Sequence, residues 1–210
     1  KHKSALSQVF SMMPTTWTKK GCQLQASEAF IYKGKLFDKH KCFYEALKCN
    51  DNSSTSWNNV STTLAKNERI TLNNVSYTDI QCYVKALVLD RDDSFLWHGL
   101  GAKLDANETV VVNGKTYDKL KCAVRAVETD QGSASAWILL GTVMSNSDKV
   151  MIEGMPFNKR QCLLKCTTLI NNYGFAWSDL GNTLDKDETI EVEGTSFDAK
   201  QCHIKALESN

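Results

Sequence analysis

The chain has 210 residues, of which 42% are hydrophobic and 23% charged, a composition typical of globular and repeat proteins. No apolar run approaches the roughly 20 residues of a membrane-spanning helix, so membrane insertion is not expected. Lysine and arginine total 25 against 24 for aspartate and glutamate. Because no excess positive charge exists to neutralise a phosphate backbone, nucleic acid is not an expected partner.

A 40-residue period runs through the sequence. Its clearest markers are all five tryptophans and five of the eight cysteines, which recur as Trp17, Trp57, Trp97, Trp137, Trp177 and Cys42, Cys82, Cys122, Cys162, Cys202. Such a period predicts an array in which each repeat buries apolar surface against its neighbours. We predict one array over residues 1–210, with repeats at approximately 12–50, 51–90, 91–130, 131–170 and 171–210.

The first element of each repeat is predicted to be an α-helix, named helix A. In the third repeat Trp97 is followed by Leu100, Gly101 and Leu104, at i+3, i+4 and i+7, which form one stripe of a helix. A small residue stands four positions after every tryptophan, as Gly21, Ser61, Gly101, Gly141 and Gly181. The small residue indicates a place where another segment packs closely against helix A.

The second element is predicted to be a β-hairpin. In "ETVVVNGKTYD" β-branched residues flank Asn113-Gly114, a strong signal for a tight hairpin turn. Glycine holds the second turn position in four repeats and Asn74 in one, and both residues tolerate a positive φ. Because a lone hairpin is marginal in water, we expect the aromatic residue that ends it to pack on the helices.

The third element is predicted to be a second helix, named helix B. It is preceded by residues that commonly cap helices, namely Asp38, Thr78, Asp118, Asn158 and Asp198. The cysteine column and an alanine column follow at helical spacing. The predicted fold class is mostly α: an α-solenoid of tandem helix-turn-helix repeats with a short β-hairpin inserted in each repeat.

The segments "WHGLGAKL", "WILLGTVM" and "WSDLGNTL" resemble the opening of the tetratricopeptide repeat, W-x2-L-G-x2-Y, with leucine or methionine in place of tyrosine. That family's unit has 34 residues, so 40 minus 34 leaves six residues to place. Inserting the six between the helices aligns the alanine column with the family's late alanine. The resemblance therefore implies a variant of the tetratricopeptide repeat whose hairpin enlarges the turn between helices A and B.

The resemblance also implies a function. In tetratricopeptide arrays the helices A line a concave surface that holds extended peptides or helices, so we expect a protein-binding module or scaffold. The residues expected on that surface are Asn58, Thr62, Phe95, His98, Asp105, Ile138, Thr142, Phe175, Ser178, Asn182, Asp185 and Lys186. The alternative is a structural protein that associates with itself end to end, through Ile204 and Leu207 of the last helix B.

Neither catalysis nor metal binding is expected. The four histidines share no repeat column, and no G-x-S-x-G, phosphate-loop or HExxH motif is present. Equivalent positions in stacked repeats lie roughly 10 Å apart, beyond the roughly 7 Å limit for a disulfide. The periodic cysteines are therefore interpreted as small core residues, and no cofactor or metal is expected.

The compartment is predicted from the same cysteines. Reduced thiols favour the cytoplasm. Four Asn-x-Ser/Thr triplets, which begin at Asn52, Asn59, Asn74 and Asn107, leave a secreted or surface location as the alternative.

Overall fold

The computed structural model describes residues 13–209. The chain divides into two compact units, Lys1–Arg91 and Asp92–Asn210, named here the N-terminal unit and the C-terminal unit. Among the described residues, no helix is long and apolar enough to cross a membrane. The prediction of a single array over residues 1–210 stays a prediction.

Helices and hairpins alternate as predicted throughout residues 13–209. The helices A are α1 (Pro14–Gln23), α3 (Ser54–Thr63), α5 (Ser94–Lys103), α7 (Ala134–Val143) and α9 (Gly174–Gly181). The helices B are α2 (Lys39–Cys49), α4 (Asp79–Leu89), α6 (Lys119–Thr129), α8 (Lys159–Leu169) and α10 (Ala199–Glu208). The predicted fold class is confirmed: helix-hairpin-helix repeats stack in solenoid fashion, two in the N-terminal unit and three in the C-terminal unit.

Each repeat carries a separate two-stranded antiparallel hairpin between its two helices. The first strands are β1 (Ala29–Tyr32), β3 (Arg69–Leu72), β5 (Thr109–Val112), β7 (Lys149–Ile152) and β9 (Thr189–Val192). The second strands are β2 (Lys35–Asp38), β4 (Val75–Thr78), β6 (Lys115–Asp118), β8 (Met155–Asn158) and β10 (Thr195–Asp198). The register is the same each time, for example Val112 opposite Lys115.

Both central residues of every hairpin turn have a positive φ, as in Asn113 at 49° and Gly114 at 76°. This is the turn whose twist matches that of paired strands. The predicted glycine column occupies the second position. The first position has a positive φ as well, although Lys33, Glu153 and Glu193 are not residues that favour it.

The tryptophan of helix A holds the hairpin in place. In all five repeats its ring packs on the aromatic residue of the second strand, with ring centroids 4.6 to 5.0 Å apart. The indole N–H of Trp57 donates to the carbonyl of Asp51 at 2.7 Å, and that of Trp137 donates to Gln131 at 2.8 Å. The tryptophan side chain thus contacts both the hairpin and the loop that precedes helix A. These contacts explain how a short two-stranded hairpin is stable here.

Short polar contacts fix both ends of the hairpin. All five predicted caps of helix B accept a hydrogen bond from the backbone three residues later, as Asp118 does from Lys121 at 2.7 Å. An acidic side chain before each first strand accepts from the backbone three residues earlier, as Glu108 does from Asp105 at 3.1 Å. The repeated acidic column therefore has a structural role.

The small residue of helix A lies against helix B of the same repeat. A methyl carbon added to Gly141 would lie 2.7 Å from Leu163 Cδ2, and one added to Gly21 would lie 2.5 Å from Phe43 Cε1. Both distances are far below ordinary carbon contacts. In these two repeats glycine is required because a larger side chain would overlap helix B.

Adjacent repeats contact each other differently at different junctions. His40 Nδ1 in helix α2 lies 2.7 Å from the hydroxyl of Thr63 in helix α3. Arg160 in helix α8 donates to the carbonyl of Thr183 and forms an ion pair with Glu188. Those hydrogen bonds from Arg160 lower the pKa of the Glu188 carboxyl. Polar pairs of this kind add to the apolar contacts that hold neighbouring repeats together.

The prediction that the periodic cysteines are core residues is confirmed. Cys42, Cys82, Cys122, Cys162 and Cys202 are all 0% exposed, and so is Cys166. Burial raises the pKa of Cys122 and Cys162 to about 12, far above the ordinary thiol value of 9.0. Cys22 and Cys49 are exposed. Six thiols are therefore packed and kept protonated, whereas two are open to solvent.

Thiol labelling tests this division. With an alkylating reagent at pH 8, we expect rapid modification of Cys22 and Cys49 in the native protein and of all eight cysteines after denaturation. Intact-mass spectrometry over time counts the modified sites. Rapid native labelling of Cys122 or Cys162 would contradict the packing described for helix B.

Candidate functional site

The helix A surface of the C-terminal unit carries the most exposed aromatic residues of the described chain. It is defined by the outward side chains of α5, α7 and α9. Phe95 is 69% exposed and Phe175 is 71% exposed. They occupy the same repeat position, two residues before Trp97 and Trp177, which are almost completely buried. Helices α5 and α9 therefore each place one aromatic side chain in the core and a second one in solvent.

The exposure of Phe95 follows from the way α5 begins. Asp93 caps α5 and accepts hydrogen bonds from the backbone of Phe95 and Leu96. Leu96, like Trp97, is buried, so Phe95 lies on the side of the first turn that faces away from the core. Aromatic residues, phenylalanine among them, are enriched in protein–protein interfaces.

Three other predicted residues in this unit have different degrees of exposure. His98 is half-buried, and burial lowers the pKa of its imidazole below 6.5, which favours the neutral ring at pH 7. Thr142 is exposed and its hydroxyl donates to the carbonyl of Leu139 at 2.9 Å. Ile138 is only 7% exposed, so its predicted role as an apolar anchor on the surface is not supported by its position.

Ile138 is buried in α7, a helix that packs along α5. Its neighbour Leu139 is 8% exposed and approaches the bare backbone of Gly101, where an added methyl carbon would lie 3.1 Å from Leu139 Cδ2. Two helices A are therefore in direct contact here. The consequence is a surface with aromatic residues at α5 and α9 and little exposed apolar area on α7 between them.

The predicted polar residues follow these two phenylalanines in the sequence. Ser178 is half-buried on α9, and Asn182 is the exposed residue that ends that helix. Asp105, Asp185 and Lys186 are exposed in the loops that follow α5 and α9. Carboxylate, amide and ammonium groups are chemical types that can form hydrogen bonds with a peptide.

In the N-terminal unit only two residues were predicted for the site. Asn58 is half-buried on α3, and Thr62 is exposed one turn later. The hydroxyl of Thr62 donates to the carbonyl of Asn59 at 2.8 Å. No exposed aromatic residue accompanies them in the described part of α1 or α3. The aromatic surface therefore belongs to the C-terminal unit.

Phe175 also borders an open hollow of about 300 Å³ formed by α9 and α10. Its other lining residues are Gly174, Ser178, His203, Ala206 and Leu207. Tyr173, which is 38% exposed, lies with its ring centroid 6.0 Å from that of Phe175. Tyr173 is an aromatic residue directly before α9 and does not belong to the predicted site.

Thr142 lines a second, more polar hollow of about 570 Å³ with Ala106, Asp118, Lys119, Leu120 and Val143. Leu120 occupies the repeat position that Arg160 holds in the next repeat, where the arginine reaches Thr183 and Glu188. The shorter leucine leaves that space open. The predicted residues Thr142 and Phe175 thus line two separate hollows.

A scan against models of protein families found no match, and a search of curated proteins also found none.

Proposed function

We propose that the chain is a protein-binding module whose helix A surface in the C-terminal unit holds a peptide or protein segment. The single observation that carries this proposal is the pair Phe95 and Phe175, about 70% exposed at one repeat position of otherwise closely packed helices. Aromatic residues that fill a partner's pockets commonly contribute a large share of binding free energy. The flanking polar side chains would bond to the backbone of the same segment.

The resemblance to tetratricopeptide repeats supports the same proposal. The chain has the paired helices, the tryptophan opening and the small residue where the helices pack, with the hairpin as an insertion between them. Membership of that family is part of the proposal. It predicts that a bound segment would lie across the helices A rather than along the hairpin tips.

Binding is proposed in preference to catalysis because the repeated polar groups have structural partners. Each acidic side chain of the repeated column accepts a backbone hydrogen bond before its hairpin. The cysteines, which would be the strongest nucleophiles, are mostly buried with raised pKa values. A thiol kept protonated in the core is inert.

The cytoplasm is the proposed compartment, on the evidence of the cysteines. All eight are free thiols, and the six buried ones each pack into the core without a disulfide partner. Asn52, Asn74 and Asn107 nonetheless lie in exposed turns, whereas Ser61 of the Asn59 triplet is 0% exposed. Loss of mass on enzymatic deglycosylation of the natural protein would favour the secreted alternative.

The test is a selection of binding peptides from a displayed library, followed by calorimetry with the purified chain. Peptides that use the proposed surface should bind Phe95→Ala and Phe175→Ala at least about tenfold more weakly, the loss expected for a buried aromatic anchor. Because both side chains are exposed, neither change should alter the fold, and circular dichroism can verify this.

Val111→Ala is the matched control. Val111 is also exposed, at 60%, but it lies on strand β5 of a hairpin in the same unit. Peptides that bind the helix A surface should not respond to this change. Selected peptides that are insensitive to both phenylalanine variants, or that respond only to Val111→Ala, would contradict the proposed surface.

A further inference from the structure

An apolar hollow of about 370 Å³ lies between the third repeat and the hairpin of the fourth. Its walls are formed by Tyr117, Leu120 and Val124 on one side and by Val150 and Met151 of strand β7 on the other. All five residues belong to the C-terminal unit, and none lies on the helix A surface. Met151 is 57% exposed and the other four are half-buried, so the hollow is open to solvent.

The equivalent space in the N-terminal unit, between α2 and strand β3, is occupied by two rings of the chain itself. His40 and Tyr44 stack there, with ring planes 5° apart and centroids 6.5 Å apart. The hydroxyl of Tyr44 donates to the carbonyl of Thr71 in β3. The chain therefore shows that a phenol ring fits between a helix B and the next hairpin, and which backbone group its hydroxyl reaches.

The third repeat lacks both rings. Leu120 holds the repeat position of His40, and Val124 holds that of Tyr44. Because both side chains are smaller than the rings that they replace, they fill less of the space in front of β7. The hollow therefore has the place of a phenol ring without the ring.

The backbone acceptor for a phenol hydroxyl is retained. Met151 is the residue of β7 equivalent to Thr71, and each is the second residue before its hairpin turn. In such a hairpin the pair beside the turn exchanges hydrogen bonds and the next pair does not, so the carbonyl of Met151 points away from β8. A ring in the hollow can therefore donate to Met151 as Tyr44 donates to Thr71.

The cations at the rim of the hollow each have an acidic partner. Arg125 forms an ion pair with Glu128 at 2.9 Å, and Lys121 lies 3.6 Å from Asp118. An ionic ligand would have to compete with these partners, whereas an uncharged ring would not. A cation close to an aromatic ring is itself favourable. The rim thus favours an uncharged aromatic occupant.

We propose that this hollow binds the tyrosine side chain of a partner protein segment. The phenol ring packs on Val124, Val150 and Met151, and its hydroxyl donates to the carbonyl of Met151. A small-molecule site encloses most of its ligand, whereas this hollow is open on one side and so suits a side chain presented by a longer segment. The site goes beyond the helix A surface and does not depend on it.

NMR titration of the chain with N-acetyltyrosinamide, a capped single tyrosine, is the test. Because one residue buries little area, we expect a dissociation constant in the millimolar range. The ring current of the probe should shift the methyl signals of Val124, Val150 and Met151. N-acetylphenylalaninamide, which lacks only the hydroxyl, should bind roughly two- to tenfold more weakly, the effect expected for one hydrogen bond.

Val124→Tyr should abolish binding of the probe, because the new ring would occupy the hollow and reach the Met151 carbonyl itself. The fold should be unchanged, since the first repeat already holds tyrosine at this position. Leu169→Tyr is the matched control. It adds the same side chain at a 43% exposed position of α8 that does not line the hollow, and it should bind the probe like the wild type.

The proposal would be overturned if the probe left the three methyl signals unchanged, if both probes bound equally well, or if Val124→Tyr bound like the wild type. Binding of free phenol without binding of the capped tyrosine would also overturn it, because the site would then not accept a peptide. Peptides selected on the helix A surface should bind Val124→Tyr normally. That result distinguishes failure of this proposal from failure of the peptide-binding function.

Discussion

Gly141→Val is expected to destabilise the C-terminal unit by about 3 kcal/mol, at the upper end of the usual cost of overpacking a core. The first added carbon would already lie 2.7 Å from Leu163 Cδ2 and 2.8 Å from Leu163 Cγ. Leu163 is 0% exposed, so a shift of its side chain would be toward other core residues and not into solvent. The melting temperature and the urea midpoint should both fall, with helical circular dichroism as the signal.

A double-mutant cycle identifies the clash as the cause. Leu163→Ala alone should cost about 2 to 5 kcal/mol through the cavity that it leaves. If a carbon added at position 141 meets Leu163 directly, Gly141→Ala combined with Leu163→Ala should lower the free energy of unfolding by clearly less than the sum of the two single changes. Strict additivity, or a Gly141→Val variant that melts like the wild type, would contradict the packing of helix A on helix B.

Trp137→Ala is expected to cost about 3 to 5 kcal/mol, the usual range for removal of a buried aromatic side chain. Trp137 is 1% exposed and packs on Phe157 of the hairpin, with ring centroids 5.0 Å apart. Its indole N–H also donates to the carbonyl of Gln131 at 2.8 Å. The change thus removes the core of the repeat and the attachment of its hairpin together.

Trp137→Phe is the graded control for this prediction. It keeps an aromatic ring but removes the hydrogen bond and part of the buried area, so we expect a loss of about 1 to 2 kcal/mol. A cycle with Phe157→Ala should show a coupling of about 0.5 to 1.5 kcal/mol, as for other aromatic pairs. Absence of coupling would mean that the hairpin does not depend on the tryptophan.

Much of the fold was predictable because each structural requirement recurs five times. One aspartate before a predicted helix, such as Asp118, is weak evidence for a helix cap. Five capping residue types at a constant interval are strong evidence, and all five side chains accept the expected backbone hydrogen bond. The turn glycines were predictable for the same reason. Positions that the backbone conformation restricts keep the same residue types in every repeat, whereas other positions vary.

Features that depend on particular side-chain pairs were not predictable. Lys33, Glu153 and Glu193 adopt a positive φ because the turn that closes each hairpin has positive φ at both central residues. The hydrogen bond from the indole N–H to the loop before helix A was also not predictable, since its acceptor is a backbone carbonyl six residues earlier. Residue types alone do not reveal which carbonyl a donor reaches.

The candidate site was predictable by position but not by accessibility. The repeat pattern placed Phe95, Phe175 and Ile138 on one surface, and the two phenylalanines are exposed there. Ile138 is buried, and the spacing within one repeat does not show which side chains neighbouring helices cover.

Hydrogen–deuterium exchange of the C-terminal unit in the intact chain, with and without a selected peptide, tests the central claim most directly. Because a bound segment slows local opening of the backbone that it covers, we predict added protection in the first turns of α5 and α9, around Phe95 and Phe175. The amides of β5 and β7 should be unaffected. Protection confined to these hairpin strands, with none in α5 and α9, would contradict a binding surface on the helices A.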